Sequence, residues 1–438
     1  MYTPVIGLEI HVELKTKSKM FCQCSADYFG TEPNSHVCPV CLGMPGALPV
    51  PNRLAIEWAQ RIGVALNCKL NEISKFDRKH YFYPDLAKGY QISQYDEPLS
   101  VDGYIQIRDK KFGIRRVHME EDTGKLLHQG EDTLIDFNRS SVPLVEIVTE
   151  PDFDNAEDVK EFLEELHTII RYLGVSDADM EKGSMRLEPN ISLKRPGEID
   201  LPPYKVEVKN INSFRFAKQA IEFELKRQAA ILDKGETPKQ ETRGFNDTKN
   251  ETYSQRSKEE AQDYRYFPEP DIPVMKFTQE TLQGIKDALP ELPSEKVFRY
   301  EKEFGLRYTD AYIITRDVAL AEYFESVVAL IKNVEQAGQK IANAIINKKI
   351  DTSLSPNEFA EKLAELHAPK QTDMGALEQA IKKVIEANEK AVTDYKSGKE
   401  SVIMFLVGMV MKEGKGQFDA GVVKEELGKC LSKRIGKD

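Results

Sequence analysis

The sequence predicts an α+β body followed by two all-α segments, a helical domain and a small helical tail. Three observations predict it. The 438-residue chain is longer than one hydrophobic core usually supports. Up to about residue 292, short runs that alternate apolar and polar residues are interspersed with stretches of helical spacing and many Gly/Pro turns. Beyond the turn-rich FPEPDIPV at 267–274 the pattern becomes almost wholly helical, beginning near Pro293 with SEKVFRYEKEFGL. The break HAPKQTDMG at 367–375 reads as a short linker. The expected domains are therefore 1–292, 293–370 and 371–438.

The strand expectations come from VIGLEIHVEL, YIQIRDKKFGIRRVHME and YKVEVKNI, all of which alternate. Residues 55–66 and 156–173 have the spacing of amphipathic helices, and no internal repeat or regular βαβ pattern is present. The tail reads as three helices, near 376–387, 399–412 and 420–433.

A formal charge of −11 argues against indiscriminate nucleic-acid coating. The charge is uneven: from residue 379 onward, twelve Lys plus Arg face nine Asp plus Glu, which leaves about −14 on the rest. Only the tail has an electrostatic case for phosphate contact. No window approaches the length of uncharged apolar sequence that a membrane span needs, and MYTPVIGLEIHVEL lacks the features of a signal peptide. A cytoplasmic protein with no membrane association is expected.

Four of the six cysteines, Cys22, Cys24, Cys38 and Cys41, fall in FCQCSADYFGTEPNSHVCPVCLGMPG. Two close thiol pairs joined by a turn-rich loop can surround a zinc ion tetrahedrally. Four sulfur ligands leave no open position, so the expected role is structural. Cys68 and Cys430 stand apart as ordinary thiols.

Chemistry has better candidates in three acidic groups: Glu9 and His11 on the first strand, Glu120, Glu121 and Asp122 in VHMEEDTGK, and Glu146 with Glu150 in VPLVEIVTEPD. Alternation places Glu9, His11 and Glu13 on one strand face. Charges at successive inward positions are costly unless they bind metal or substrate, and one histidine among carboxylates suits Mg2+. Each group alone fits equally a strand face turned to water.

Bases that could hold phosphates follow: Arg78, Lys79 and Lys88, Arg139, Lys182 and Arg186, Lys209 and Arg215, Arg243, and then Arg256, Lys258 and Arg265. Singly, each fits an ordinary surface base or ion-pair partner. No Walker A motif or nucleophile elbow occurs and neither lone cysteine, Cys68 or Cys430, has a nearby His, so ATP use would lie outside the P-loop scheme and no hydrolytic nucleophile is apparent.

The strings IGLEIHVEL, the two cysteine pairs, CLGMPGALPV, KHYFYPDLAKGYQISQY, HMEEDTGK, DFNRSSVPLVEIVTEPD, EVKNINSFR, QETRGF, RSKEEAQDYRYFPEPD and YKSGKESVIMFLVGMVMKEGKG together resemble the GatB family of tRNA-dependent amidotransferase subunits. The resemblance runs nearly end to end. It implies a cradle-like catalytic body, a helical domain and a tail that contacts tRNA. It also implies that ATP and Mg2+ phosphorylate the side-chain carboxylate of Glu-tRNA(Gln) or Asp-tRNA(Asn). Ammonia then completes amidation. It comes from a partner glutaminase, the amidase component of a complex that also holds a small third component.

On the resemblance, the magnesium positions fall on His11, Glu120 and Glu146, with Glu9 and Glu121 close by. The choices between Glu120 and Glu121, and between Glu146 and Glu150, stay open. Lys79, Lys88, Arg139, Arg186, Lys209, Arg243 and Arg265 become the nucleotide-binding candidates. Where the family often carries Arg-Cys-Asp-x-Asn, this chain has RLEPN at 186–190, so Glu188 stands as the substitute carboxylate, and the stretch from about 340 to 378 is shorter than usual. Two rival functions are a zinc-containing RNA-binding adaptor and a stand-alone metal phosphohydrolase.

Overall fold

The computed structural model describes residues 2–257, 264–331, 337–367, 373–397, 399, 401–415 and 417–433. The chain divides into two compact units, 1–321 and 322–438.

The first unit is built on a nine-stranded sheet. Its strands are β1 (Thr3–Glu13), β2 (Lys69–Leu70), β3 (Ser100–Ile107), β4 (Lys110–Glu121), β5 (Pro143–Thr149), β6 (Met185–Lys194), β7 (Val206–Lys209), β8 (Glu241–Asn246) and β9 (Glu251–Ser257). They lie in the order β9-β8-β7-β6-β1-β5-β4-β3-β2. All neighbours are antiparallel except β7 and β8. The run at 104–120 is thus a hairpin and not one strand, turning at Arg108, which sits in the left-handed region at φ 54.

One face of the sheet is apolar. Leu8, Ile10 and Val12 of β1, Val117 and Met119 of β4, and Val145 and Ile147 of β5 are buried in one core with α1 (Arg53–Ala65), α2 (Ala156–Leu173) and α3 (Phe214–Asp233). α2 keeps its predicted limits because both ends are capped. The Asn155 side chain accepts from the Asp158 N–H at 2.8 Å, and Gly174 closes the other end at φ 66. Phe112 and Phe153 stack at 4.3 Å against the edge of Phe162, joining α2 to the sheet. The opposite face carries the polar members of the same alternation, and the candidate site lies there.

Three short helices, α4 (Gln279–Asp287), α5 (Pro293–Phe304) and α6 (Tyr308–Thr315), complete this unit, and α7 (Val318–Leu330) runs on past its end. The second unit holds α8 (Ala337–Ile346), α9 (Pro356–His367), α10 (Met374–Ala387), α11 (Glu389–Lys396), α12 (Val402–Glu413) and α13 (Ala420–Lys433). α10 to α13 share a core that includes Leu377, Ile381, Leu406, Val410 and Leu427. Among the described residues the tail therefore has four helices where three were expected. The short α11 buries little beyond Val392, so its apolar periodicity is faint. Of the expected linker, residues 368–372 lie outside the described residues.

Candidate active site

Cross-strand register assembles the site. His11 of β1 lies opposite Arg186 of β6 on one side and Glu146 of β5 on the other, and Glu146 in turn lies opposite His118 of β4. Because side chains alternate along each strand, these four project from the same face. Two residues along, Glu13 faces Leu144, which faces Glu120; two residues back, Glu9 faces Glu188. The result is a cavity of about 660 Å3 lined by Glu9, His11, Lys79, Glu120, Asp122, Glu146, Arg186, Glu188, Glu207 and Lys209, with Tyr81, Phe82, Tyr83 and Tyr264 among its other walls.

His11 Nε2 is 3.6 Å from Glu146 and 4.0 Å from Glu120, and these three residues can present one ligand atom each to a common ion. Buried His118 reaches both carboxylates as well, at 3.2 Å from Glu146 and 3.6 Å from Glu120. Glu120 is further held by the Ser93 hydroxyl at 2.8 Å, the Gln91 amide at 3.1 Å and Lys79 at 3.4 Å. Those three come from the paired strands Asp77–His80 and Tyr90–Ser93, folded over the cavity edge.

Electrostatics keep the carboxylates ionised. Burial opposes charge on Glu120, but Lys79 and then His118 hold it well below its ordinary value. Glu146 is likewise driven down, against burial, by His118 and His11. Burial also works against a charged imidazole at His11, yet Glu146, with Glu188 and Glu120 behind it, raises that group to about 9. The donor set of one imidazole and two ionised, buried carboxylates suits a hard divalent cation.

The two ambiguous pairs separate by placement. Glu121 turns away from the cavity, bonded to Lys88 at 2.6 Å and accepting from the Ile92 N–H at 2.9 Å. Glu150 pairs with Arg115 at 2.7 Å at the surface. A second carboxylate group, Glu9, Glu188 and Glu207, adjoins the first, with Lys209 bonded to Glu188 at 2.9 Å. Burial, then repulsion from Glu146, raises Glu9.

Among the basic candidates, Lys79, Arg186 and Lys209 line the cavity. Arg186 is engaged by Asp122 and lies 3.6 Å from Glu13. Lys88 sits behind the cavity on Glu121. Arg139 donates to the carbonyls of Thr123 and Gly124, both at 2.9 Å, and so fixes the loop after β4. Arg243 lies elsewhere, clamped by Glu224 at 3.1 Å and Glu241 at 2.7 Å. Arg265 is exposed beside Tyr264. Arg78 grips Glu269 at 2.6 Å. The Arg256 side chain and Lys258 lie outside the described residues.

Sequence reasoning missed His118 and Glu207 as members of the site. Both alternate in step with residues it did single out, His118 with Glu120 and Glu207 with Lys209, and that was the available signal.

The four knuckle cysteines also converge, with their sulfurs all within 4.8 Å of one another. Cys38 and Cys41 are 3.9 Å apart, close to the ~3.8 Å edge of a tetrahedron with 2.3 Å metal–sulfur bonds. The Cys38 N–H donates to Cys41 Sγ at 3.2 Å. A hydrogen bond from Cys22, that N–H and nearby Lys19 hold the Cys41 thiol well below its ordinary range. The cluster can bind a metal and is compatible with structural zinc.

Among the described residues no helix is long and apolar enough to cross a membrane. A family profile described as the GatB/GatE catalytic domain matches residues 4–283, and another described as the GatB domain matches 311–431. The corresponding subunit of the aspartyl/glutamyl-tRNA(Asn/Gln) amidotransferase of Thermosipho melanesiensis is 44% identical, covering 97% of this chain and 98% of that protein. Those of Thermotoga petrophila and Carboxydothermus hydrogenoformans are each 43% identical over 98% and 99% of this chain respectively, and over 99% of their own length. Matches of this extent place the chain in the GatB family of aspartyl/glutamyl-tRNA(Asn/Gln) amidotransferase subunits, which belong to the ligases.

Proposed function

We propose that this chain activates the side-chain carboxylate of Glu-tRNA(Gln) or Asp-tRNA(Asn) with ATP and then hosts its amidation by ammonia. The γ-phosphoryl group moves from ATP to a carboxylate oxygen, breaking the bond to ADP. Ammonia nitrogen then attacks the acyl carbon, phosphate leaves and the nitrogen gives up a proton, yielding Gln-tRNA(Gln) or Asn-tRNA(Asn). A carboxylate is a poor acyl donor, and phosphorylation supplies the leaving group that it lacks.

The observation that carries this reading is the convergence of His11, Glu120 and Glu146 in a cavity that also presents Lys79, Arg186 and Lys209. His11, Glu120 and Glu146 would hold Mg2+, which when bound neutralises charge on the phosphates. Lys79 and Lys209, on opposite walls, orient the anionic groups. Arg186, already engaged with Asp122, offers its remaining donors to a carboxylate or phosphate. Glu9, on the same strand face as His11, belongs to the second carboxylate group.

Ammonia comes in this reading from the amidase (glutaminase) component of a cytoplasmic heterotrimer whose third member is a small protein. A glutaminase on another chain accounts for the absence of a hydrolytic nucleophile in this sequence. We assign the tail, 371–438, to tRNA contact, and Cys22, Cys24, Cys38 and Cys41 to a structural zinc that staples the loop. The test reconstitutes the complex with both partner proteins, ATP and Glu-tRNA(Gln). His11→Ala and Glu120→Ala are expected to abolish amidation while tRNA binding persists; unchanged amidation in both would overturn the metal-site assignment.

A further inference from the structure

Lys19 is wholly buried immediately before the cysteine cluster. Its ammonium donates to the His36 carbonyl at 2.8 Å and to the Phe137 carbonyl at 3.3 Å, and lies 3.6 Å from Cys41 Sγ. Among the described residues no carboxylate lies within ion-pair distance of it. A buried ammonium is expensive unless an anion offsets it. Two carbonyls satisfy donors but cancel no charge. The remaining neighbour is the thiol cluster, and four thiolates around one divalent ion form a dianion, itself costly to bury. Each charge lowers the cost of the other.

We propose that Lys19 is the built-in counter-ion of a tetrathiolate metal centre formed by Cys22, Cys24, Cys38 and Cys41, and that its charge raises the affinity of that centre for zinc. This rests on the structural-zinc reading above. The same ammonium links the knuckle to the cavity wall. Phe137 leads into Asn138–Ser141, where the Ser140 hydroxyl donates to the Cys41 carbonyl at 3.2 Å and the Ser141 N–H to the Asp122 carbonyl at 2.9 Å. Lys19 thereby acts as a positioning residue and not a catalytic one.

The test uses the full chain. A chromophoric chelator competes for zinc with wild type, Lys19→Gln and Lys19→Met. Gln keeps a donor for the carbonyls and removes the charge, so both variants are expected to bind zinc about tenfold more weakly or worse. Melting with and without zinc separates this from simple packing: loss of a counter-ion shrinks the zinc-dependent rise in melting temperature, whereas loss of a staple lowers both curves equally. Zinc affinity in Lys19→Gln within about twofold of wild type overturns the proposal. A wild-type chain that binds no zinc overturns it together with the structural-zinc reading. Should both neutral variants fail to fold, Lys19→Arg, which keeps the charge, is expected to fold and hold zinc, and its failure to hold zinc overturns the proposal.

Discussion

His118 Nε2 lies 3.2 Å from the Glu146 carboxylate while the same ring sits 3.6 Å from Glu120, so one buried imidazole spans two of the three groups proposed to hold Mg2+. Such an outer partner fixes the orientation of the ligands it touches. His118→Asn is expected to weaken Mn2+ or Mg2+ binding about 10- to 100-fold, with amidation recovering at high metal concentration. Metal titration followed by paramagnetic resonance or calorimetry checks this; wild-type metal affinity would show that the ring only packs.

Glu13 gives a pH prediction. Burial first, then neighbouring Asp122, raises its carboxyl to about 9 from an ordinary value of 4.5. A raised folded value means that the folded chain keeps a proton that the unfolded chain releases. The favourable contribution is full below about 4.5 and is lost as pH rises toward 9, with a slope of at most about 1.4 kcal/mol per pH unit. Glu13→Gln lacks that titration. Its stability relative to wild type should therefore grow from pH 5 to 9 in denaturant unfolding, and a pH-independent difference would refute the assignment.

Arg243 was a nucleotide-binding candidate by sequence, yet it is enclosed by Glu224 and Glu241. Removing one partner of a buried ion pair leaves stranded charge and costs about 3–5 kcal/mol. Arg243→Met is expected to unfold at lower denaturant while the folded enzyme keeps its KM for ATP. Lys79→Met should do the reverse at the substrate level, raising the KM for ATP about tenfold or more. An unchanged KM in Lys79→Met, or a raised one in Arg243→Met, would exchange their roles.

Metal analysis of the purified chain should find about one zinc per molecule. Cys22→Ser is expected to lose it and to melt at lower temperature, with amidation falling in step with the folded fraction. A selective loss of catalysis in fully folded Cys22→Ser would place the knuckle in the chemistry instead.

The amino-acid pattern by itself determined the α+β body, the apolar and polar faces of β1, the limits of α2, the thiol knuckle and the family resemblance. These depend on local periodicity and on the spacing of a few residue types, and a linear chain displays both. The hairpin turn at Arg108 escaped because the charged run Arg108–Lys111 joins two alternating stretches with no Gly or Pro at the turn to mark it, and the helix α11 escaped because its apolar periodicity is faint. Only tertiary structure placed Glu120 and Glu146, and not Glu121 and Glu150, at the cavity beside His11. Adjacent Glu120 and Glu121 point to opposite faces of their strand, and the partner strands determine which face meets His11, whereas Glu150 falls beyond the end of β5 and pairs with Arg115. It also brought in His118 and Glu207, and it moved Arg243 and Lys88 away from the cavity. Whether a base serves a ligand or a buried carboxylate depends on what lies across the sheet from it, and that neighbour can be more than a hundred residues away in the chain.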